Sequence, residues 1–411
     1  MSVDPYIIVG NGVAAVRAAE AVRAGGDDTR IIIFTDQECA FYSRPCLYYI
    51  MLGRIEWEDA WGRPNSFYPL NDIDLRCSTR ITRIDPHAHT VEVAGYGTLP
   101  YSRLLLVTGT HGRTPPWADQ PLHGIVGLNT LLDVVTITDL LDRARAAVVA
   151  GGGLTSIELV EVCRHWRVAT TFIMRGSRFF ESQLNDQEAQ LIHQRLRNLG
   201  VEVLTHDEIT SLEGRDGRVS RAITKSGREI VCDIAGCAVG VVPNKELAEE
   251  AGAETKSGIV VDEHMRTTLP DVFAAGDCAQ VRQPDGTPAP PEMLWYVAGD
   301  MGAVAGANMA GGDVRYDRRL FLNVSEFCGL DFCGVGAIVP GQDSVEETTI
   351  RNNRGGGSIR LVTRDGVLIG ACFVGDIRLA DIARGVIERG ARLSDLPASH
   401  PLRLLAERGS P

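Results

Sequence analysis

The sequence predicts an α/β protein with two doubly wound nucleotide-binding domains and a smaller α+β region at its C-terminal end. Two observations predict the domains: at residues 6–22 a short apolar strand runs into a glycine turn and then a helix, and the same layout returns near residue 146. From Leu320 the pattern changes to alternating strand-like segments followed by an amphipathic helix, which indicates the third region.

The first turn has the spacing G-x-G-x-x-A, formed by Gly10, Gly12 and Ala15 after the apolar run YIIV. Glycines at these positions allow a tight turn and let the backbone come close to a pyrophosphate, while the third small residue lets helix pack on strand. The helix that begins here directs its N–H groups and positive dipole end at an anion. Asp36 closes the next apolar strand, where an acid accepts hydrogen bonds from an adenosine ribose, and Glu38 is the alternative.

The second turn follows the strand AAVVA and contains Gly151, Gly152 and Gly153, with Ser156 at the third small position. One such turn is also compatible with an ordinary strand-to-helix connection. Two copies about 140 residues apart indicate two nucleotides in one chain. We therefore expect one cofactor that stays bound and one that exchanges.

The strand after the second turn ends without the acid that NAD-specific sites use to bind the ribose 2′-hydroxyl. Met174 stands there instead, and Arg175 and Arg178 follow it. An acid would repel a 2′-phosphate, whereas two guanidinium groups can bind it through charge-assisted hydrogen bonds. The sequence thus favours NADPH over NADH, and a solvated basic turn is the alternative interpretation.

Composition narrows the class of protein. The 411 residues suit two to three domains, and 44% hydrophobic residues are enough to fill their cores. The net charge of −12 disfavours nucleic acid and anionic membrane surfaces as partners. No segment approaches the roughly 18 uninterrupted apolar residues of a membrane span, and MSVDPY carries an acid where a secretory signal has basic residues. The expected location is the cytoplasm.

Ten cysteines are present, and none stands in a C-x-x-C pair. This spacing argues against an iron–sulfur cluster or a structural zinc built by this chain, so no metal site is expected. Cys232 and Cys237, like Cys328 and Cys333, have the spacing C-x-x-x-x-C. The first pair lies in a strand-like run, where small buried thiols are ordinary.

Five motifs in combination resemble the pyridine-nucleotide-dependent flavoprotein reductases, which carry FAD and NAD(P)H in two Rossmann-type domains. They are the turn at Gly10, YSRLLLVTGT, the GGG turn at Gly151, CAVGVVPN and TTLPDVFAAGDCA. Within this superfamily the chain looks most similar to rubredoxin reductases, dioxygenase ferredoxin reductases and the flavin domain of NAD(P)H-nitrite reductases. The resemblance covers about residues 5–315, and the C-terminal region more weakly.

The resemblance implies two Rossmann-like domains of the glutathione reductase type and a small C-terminal α+β domain. The FAD-binding domain would be discontinuous, formed by residues 1–115 and 243–318. Residues 116–242 would bind NAD(P)H. Residues 319–411 would form the C-terminal domain, which in relatives contributes to a dimer interface, so a homodimer or a subunit of a complex is expected.

Positions that match the family's motifs take on its cofactor-binding roles. Gly10, Gly12 and Ala15 would hold the FAD pyrophosphate, Asp36 the adenosine ribose, and Asp277 the ribityl and phosphate region. Further positions expected to contact a cofactor are Arg44, Thr108, Gly109 and Gly276 for FAD, and Gly151, Gly153, Arg175 and Arg178 for NAD(P)H.

Two further residues are expected at the reacting centre by the same resemblance. Glu158 matches an acid that reaches toward the flavin and the entering nicotinamide, although a plain surface glutamate is the alternative. Trp295 matches the start of a helix that faces the flavin's pyrimidine edge, where ring and dipole would stabilise an anionic reduced flavin. A core tryptophan is the alternative for that position.

The segment YSRPCLYYI departs from the family pattern. Relatives of the ferredoxin and nitrite reductase branch commonly carry a lysine after the R-P step, and here Tyr48 and Tyr49 stand there. Cys46 falls where the single-cysteine branch of NADH oxidases, peroxidases and coenzyme A-disulfide reductases keeps its redox thiol. Arg44 and Pro45, in contrast, match the electron-transfer branch, where the cysteine position is often simply apolar.

Three functions follow from these expectations. The preferred one is an FAD-dependent oxidoreductase that passes electrons from NAD(P)H to a small redox protein, such as a rubredoxin or ferredoxin, or to a partner subunit. The isoalloxazine would carry the chemistry, which explains why no catalytic dyad is visible. The alternatives are a reductase or oxidase that uses Cys46 as its redox thiol, and a flavin subunit without nucleotide turnover.

Overall fold

The computed structural model describes residues 4–352 and 356–409, which divide by their contacts into two compact units. The first unit comprises the residues up to His111 together with Val241–Arg319, and the second comprises Gly112–Gly240 together with the residues from Leu320 onward. The helices are α1 Val13–Ala24, α2 Cys46–Met51, α3 Phe67–Leu70, α4 Leu131–Leu141, α5 Leu154–His165, α6 Asp186–Asn198, α7 Glu246–Glu250, α8 Trp295–Met309, α9 Ala380–Glu388 and α10 Pro401–Gly409.

The strands are short and numerous. They are β1 Tyr6–Val9, β2 Ile31–Phe34, β3 Ile73–Arg76, β4 Ile81–Asp85, β5 Thr90–Val93, β6 Gly97–Pro100, β7 Arg103–Leu106, β8 Thr110–Gly112, β9 Ile125–Val126, β10 Ala146–Gly151, β11 Ala169–Ile173, β12 Glu202–Leu204, β13 Ile209–Arg215, β14 Arg218–Thr224, β15 Glu229–Val231, β16 Ile234–Ala238, β17 Val241–Pro243, β18 Ile259–Val261, β19 Val272–Ala274, β20 Ala279–Val281, β21 Leu322–Phe327, β22 Leu330–Gly336, β23 Glu346–Asn352, β24 Gly357–Arg364 and β25 Val367–Val374.

A parallel sheet with the order β19-β7-β1-β2-β3 forms the centre of the first unit. Every residue of β1 and β2 is buried, as the continuous apolar runs YIIV and IIIF predicted for strands covered on both faces. The alternating sequence TRITRIDPHAHTVEV predicts antiparallel strands, and the separate antiparallel sheet β4-β5-β6 confirms this prediction. Because the strands of the central sheet are parallel, the segments that follow β1, β2, β7 and β19 all emerge at one edge.

Helices α1 and α8 pack against each other so closely that two positions on α8 must be glycine. A Cβ at Gly302 would lie 2.2 Å from the carbonyl oxygen of Ala14, and one at Gly306 would lie 2.1 Å from that of Ala18. The sequence QPDGTPAPP at residues 283–291 predicts a Pro-rich loop that is followed by a helix from residue 292. Helix α8 begins instead at Trp295, because Leu294 has extended backbone.

A second parallel sheet, with the order β12-β11-β10-β16-β9, lies in the second unit. It is accompanied by the antiparallel strands β13-β14-β15. The Asp-Gly pair at residues 216 and 217 predicts a hairpin between the first two of these strands, and the structure confirms it. Asp216 and Gly217 both have positive φ, at 52° and 74°, which is the backbone that a two-residue hairpin turn requires.

The C-terminal region of the second unit is an antiparallel sheet with the order β21-β22-β25-β24-β23, and α9 packs on it. Its α+β character confirms the expectation from sequence. Strand β23 and helix α10 were not predicted. Strand β23 lies at the edge of the sheet, where the polar sequence EETTIRN gives no apolar alternation to recognise.

A buried ion pair joins α6 and β24 within the second unit. The guanidinium Nε of Arg360 lies 3.0 Å from Oε1 of Glu188, and neither side chain has any exposed surface. Arg360 also donates through Nη2 to the carbonyl oxygens of Gln183 and Ile338 and through Nη1 to Glu347. The division into three domains, at residues 115, 242 and 318, stays a prediction.

No helix within residues 4–352 and 356–409 combines the length and apolarity that crossing a membrane requires.

The contact between α1 and α8 predicts opposite effects for two glycine-to-alanine changes on α8. Gly302→Ala should lower the free energy of unfolding by about 1–3 kcal/mol, because its methyl group overlaps the backbone of Ala14. Gly299→Ala is the matched control, since its Cβ would meet only side-chain atoms at 3.4–3.5 Å. That control should be neutral or stabilising by up to about 1 kcal/mol, from helix propensity. Urea unfolding measures both, and equal effects would contradict the close approach.

Candidate dinucleotide and redox site

The two glycines of the first turn, Gly10 and Gly12, have different surroundings. Gly10 has φ +109°, and a Cβ there would lie 2.2 Å from the carbonyl oxygen of Val107, just beyond the end of β7. Gly12 has an ordinary extended backbone and is exposed, with no atom within 4 Å of where its Cβ would be. The fold itself therefore requires Gly10, while the space in front of Gly12 is open to a ligand.

The second turn repeats this geometry. Gly151 has φ +149°, and its Cβ would lie 2.1 Å from the carbonyl oxygen of Ala238 at the end of β16. Gly153 caps α5 with extended backbone, and no atom lies within 4 Å of a Cβ built there. In each turn the first glycine accommodates a neighbouring strand end, and the last glycine before the helix leaves room.

Helices α1 and α5 begin without a capping side chain and without an acidic residue in their first turns. Helices α4 and α6, in contrast, begin with complete capping boxes, formed by Thr130 with Asp133 and by Asn185 with Glu188. Unsatisfied N–H groups at a helix start, together with the helix dipole, favour a bound anion. The two predicted nucleotide turns therefore fit pyrophosphate groups.

Asp36 and Glu38 follow β2 at the same sheet edge. Strand β2 ends at Phe34, and Asp36 lies two residues beyond it rather than on its last residue. Both carboxylates are exposed, so both are accessible to an adenosine ribose. The choice of Asp36 stays a prediction.

Asp277 lies in a short 3-10 helix, Gly276–Cys278, directly after β19. Gly276 has φ +76°, and a Cβ there would come within 3.2 Å of the Cβ of Ala14 and 3.5 Å of that of Ala298. This segment therefore packs against both α1 and α8. Burial raises the pKa of Asp277, and the nearby Arg44 charge partly offsets that rise. The structure therefore brings together Arg44 and Asp277, which lie far apart in sequence.

Thr108 and Gly109 are fixed by a residue that the sequence analysis did not single out. The hydroxyl of Thr108 donates to the carbonyl oxygen of Asn244 at 2.6 Å, and the Asn244 side-chain amide donates to the carbonyl oxygen of Thr108 at 2.7 Å. The backbone N–H of Asn244 donates to the carbonyl oxygen of Gly109. The motif CAVGVVPN, which ends at Asn244, was the signal that could have found it.

Cys46 is the first residue of α2 and is half-buried. Its backbone N–H donates to the carbonyl oxygen of Ser43 at 2.9 Å, which turns the chain into the helix. Tyr48 and Tyr49, which replace the lysine of relatives, lie with their ring centroids 4.6 Å apart.

Trp295 is the first residue of α8 and is 49% exposed, so the alternative of a core tryptophan is wrong.

The residues after β11 combine basic and acidic groups. Met174 is buried, Arg175 is exposed, and Arg178 pairs with Asp186 at 2.7 Å. Glu181 also approaches, because a Cβ on Gly176 would lie 2.4 Å from its Oε2. One of the two predicted guanidinium groups is therefore already held by a carboxylate.

Glu158 lies half-buried on α5, and its role stays a prediction.

The cysteines outside the candidate site are free thiols. Burial raises the pKa of Cys328 and of Cys232 to about 12 and that of Cys333 to about 11, so all three stay protonated at neutral pH. Within the described ranges, no group of three or more His, Cys, Asp or Glu side chains is arranged to hold a metal ion.

Comparison with known proteins decides the family. The model of the pyridine nucleotide-disulphide oxidoreductases matches residues 4–302. This chain belongs to that family. Membership makes the protein an oxidoreductase and implies binding of FAD and NAD(P)H, in agreement with the two uncapped glycine turns. The resemblance predicted from the motifs is confirmed.

Individual relatives support the same conclusion over most of the chain. The rubredoxin-NAD(+) reductase of Ectopseudomonas oleovorans is 31% identical over 279 residues, which is 68% of this chain and 72% of the relative. The ferredoxin–NAD(+) reductase component of the anthranilate 1,2-dioxygenase system of Burkholderia cepacia is 31% identical over 402 residues, covering 95% and 96%. The crystal structure of a covalent putidaredoxin reductase–putidaredoxin complex matches with a TM-score of 0.88 at 23% identity, covering 99% of both chains, which confirms the α/β fold.

The difference between Gly10 and Gly12 predicts that the fold and the cofactor can be disturbed separately. Gly10→Ala should destabilise the FAD-free protein by at least about 1–3 kcal/mol, because alanine rarely adopts its positive φ. Gly12→Ala should leave the FAD-free protein within about 0.5 kcal/mol of wild type, since its methyl group meets no protein atom. Gly12→Ala should nevertheless weaken FAD binding by at least about tenfold, or ~1.4 kcal/mol.

Urea unfolding of the FAD-free proteins and fluorescence titration with FAD measure the two quantities. Equal loss of stability in both variants, or full FAD affinity in Gly12→Ala, would contradict this assignment of the two glycines.

Proposed function

We propose that the protein takes electrons from NAD(P)H and passes them through bound FAD to a small redox protein or a partner redox subunit. The observation that carries this proposal is the nearly full-length similarity to a ferredoxin–NAD(+) reductase component. The two open, uncapped glycine turns support it, because a protein of this function needs one site for FAD and one for the nucleotide that exchanges.

Different residues of the chain would bind the different parts of FAD and NAD(P)H. The N–H groups at the start of α1 hold the FAD pyrophosphate in front of Gly12, and those at the start of α5 hold the NAD(P)H pyrophosphate in front of Gly153. Asp277 orients the ribityl chain, with Arg44 beside it. By the family resemblance, Trp295 would serve the flavin ring and Glu158 the nicotinamide. FAD, when bound, accepts two electrons together and releases them singly.

The proposal predicts three properties of the purified protein: it contains FAD, NAD(P)H bleaches the flavin absorbance without oxygen, and the reduced protein donates electrons to a ferredoxin or rubredoxin. Flavin absorbance and reduction of the carrier measure them. Colourless protein, or protein that contains only FMN, would overturn the FAD assignment. A flavin that stays oxidised under excess NAD(P)H would indicate the alternative of a subunit without nucleotide turnover.

Cys46 supports a second candidate, a reductase of disulfides, persulfides, peroxide or oxygen. The observation that favours it is position, because a half-buried thiol opens α2 two residues after Arg44, where the resemblance expects the redox thiol of the single-cysteine branch. The neighbouring Arg44-Pro45 step matches the electron-transfer branch instead, and we propose that Cys46 is structural.

Replacement of Cys46 decides between the two candidates. Cys46→Ser should change NAD(P)H-driven reduction of ferricyanide or a ferredoxin less than about twofold, because no electron passes through the thiol. Dithionite titration should give two electrons per FAD in wild type and variant alike. Four electrons in wild type and two in Cys46→Ser would contradict the structural role. Cys77→Ser, which alters another half-buried thiol, is the control for unspecific effects.

We also propose that NADPH is preferred over NADH. Support comes from the end of β11, where buried Met174 replaces the usual acid and Arg175 is exposed beside it. Arg178 contributes less, because Asp186 already holds its guanidinium. A charge-assisted hydrogen bond is worth about 1.5–3 kcal/mol, so Arg175 alone would give at least about a tenfold preference. The relatives named above carry NAD(+) in their names, which makes the measurement decisive.

Steady-state kinetics with both nucleotides test the preference through three variants. Arg175→Gln should raise KM for NADPH about tenfold or more and leave KM for NADH unchanged, since only NADPH carries the 2′-phosphate. Arg178→Gln should have a smaller effect. Glu181→Gln should lower KM for NADPH, because it removes a negative charge beside Gly176. Equal use of NADH by wild type would contradict the preference and favour a solvated basic turn.

A further inference from the structure

We infer that the hydroxyl group of Tyr68 is a positioning group that holds the first glycine turn and the segment carrying Arg44 and Cys46 at a fixed separation. The inference rests on the proposed FAD site. It concerns a residue of α3 that lies outside every motif on which the family resemblance depends.

The hydroxyl of Tyr68 has partners on two different segments. It accepts a hydrogen bond from the backbone N–H of Phe41 at 3.1 Å and another from the side-chain amide of Asn11, also at 3.1 Å. The side-chain oxygen of Asn11 lies 3.2 Å away and can accept the hydroxyl proton. Tyr68 is 4% exposed, so water does not compete for these positions. Burial raises the pKa of Tyr68, which keeps the hydroxyl protonated at neutral pH.

Asn11 places one end of this connection in the glycine turn itself. It stands between Gly10, which the strand end at Val107 fixes, and Gly12, which faces open space at the start of α1. A hydrogen bond to the Asn11 side chain therefore restrains the turn between the strand end and the helix start.

The second partner of the Tyr68 hydroxyl, Phe41, lies at the beginning of the segment that leads to Arg44. Its carbonyl oxygen accepts from Gly62 at 3.0 Å, and Ser43 donates to Ala60 at 2.8 Å, so a short ladder holds this segment from one side. The Phe41 N–H is held from the other side by Tyr68. Directly after the ladder come Arg44, whose charge acts on Asp277, and Cys46, which opens α2.

Tyr68 thus bridges the turn expected to hold the pyrophosphate and the segment expected to lie beside the flavin. Loss of the hydroxyl would leave the buried Phe41 N–H without its partner, and that group would regain a partner only by moving. A movement there displaces Arg44 relative to the turn. The consequence should appear in FAD binding and in turnover, whereas NAD(P)H binding depends on Gly151 and Gly153 in the other unit.

The experiment compares Tyr68→Phe with Tyr42→Phe. Tyr42 is also buried, and its hydroxyl donates to the exposed Gln37 side chain at 2.7 Å, so this control removes a similar hydrogen bond from the same region without touching the turn. Fluorescence titration of FAD-free protein should show FAD affinity about 10- to 100-fold weaker in Tyr68→Phe and within about twofold of wild type in Tyr42→Phe. At saturating FAD, Tyr68→Phe should lower kcat and leave KM for NAD(P)H unchanged.

Asn11→Ala supplies a second route should Tyr68→Phe fail to fold. It removes the hydrogen bonds between the turn and the Tyr68 hydroxyl, and it should also weaken FAD binding. In the double variant the two effects should not add, because both remove one connection. Fully additive effects would contradict a shared role.

Two results separate this inference from the proposed function. FAD affinity within about twofold of wild type in Tyr68→Phe, with a lower free energy of unfolding of the FAD-free protein, would make Tyr68 purely structural and overturn the inference alone. Wild-type protein that binds no FAD would overturn the proposed function, and with it the inference.

Discussion

The candidate site depends on one steric constraint that occurs twice: a strand carbonyl occupies the place where a side chain of the first turn glycine would begin. Val107 supplies that carbonyl at Gly10, and Ala238 supplies it at Gly151. The chain can pass these points only as glycine with positive φ, which turns it sharply into α1 and α5. Both helices consequently start at the carboxyl edge of a parallel sheet, with N–H groups that no side chain caps. The candidate anion site at each helix start therefore follows from the close contact between the glycine turn and the end of the neighbouring strand.

Net charge makes this local arrangement necessary. A chain with a charge of −12 repels a dinucleotide at long range, so attraction must come from groups within a few ångströms of the phosphates. Backbone N–H groups meet that need without adding a titratable charge. Two of the basic side chains near the sites already interact with carboxylates, since the Arg44 charge acts on Asp277 and Arg178 pairs with Asp186. Exposed Arg175 is accordingly the basic group best placed to discriminate between nucleotides.

The sequence predicted what local patterns determine. Apolar runs predicted β1 and β2, the Asp-Gly pair predicted the hairpin at Asp216, and motif spacing predicted both turns. It could not show that the fold requires Gly10 while Gly12 faces open space, because that difference lies in the distance to Val107, almost a hundred residues further along the chain. Nor could it find Tyr68 or Asn244, whose roles come from hydrogen bonds to residues remote in sequence. Edge strand β23 was missed because polar residues on an exposed edge leave no periodic signal.

Helix α8 connects the two ends of the proposed FAD site. Gly302 and Gly306 let it lie directly on the backbone of α1, which begins at the proposed pyrophosphate site. The same contact sets where Trp295, at the start of α8, and Asp277, seated between the two helices, must stand. On the proposed function, groups for both the phosphates and the flavin ring are therefore aligned by one helix pair. This arrangement explains why residues as far apart as Gly12 and Trp295 can serve one cofactor: a single rigid contact, made possible by glycines that touch no ligand, determines the spacing between them.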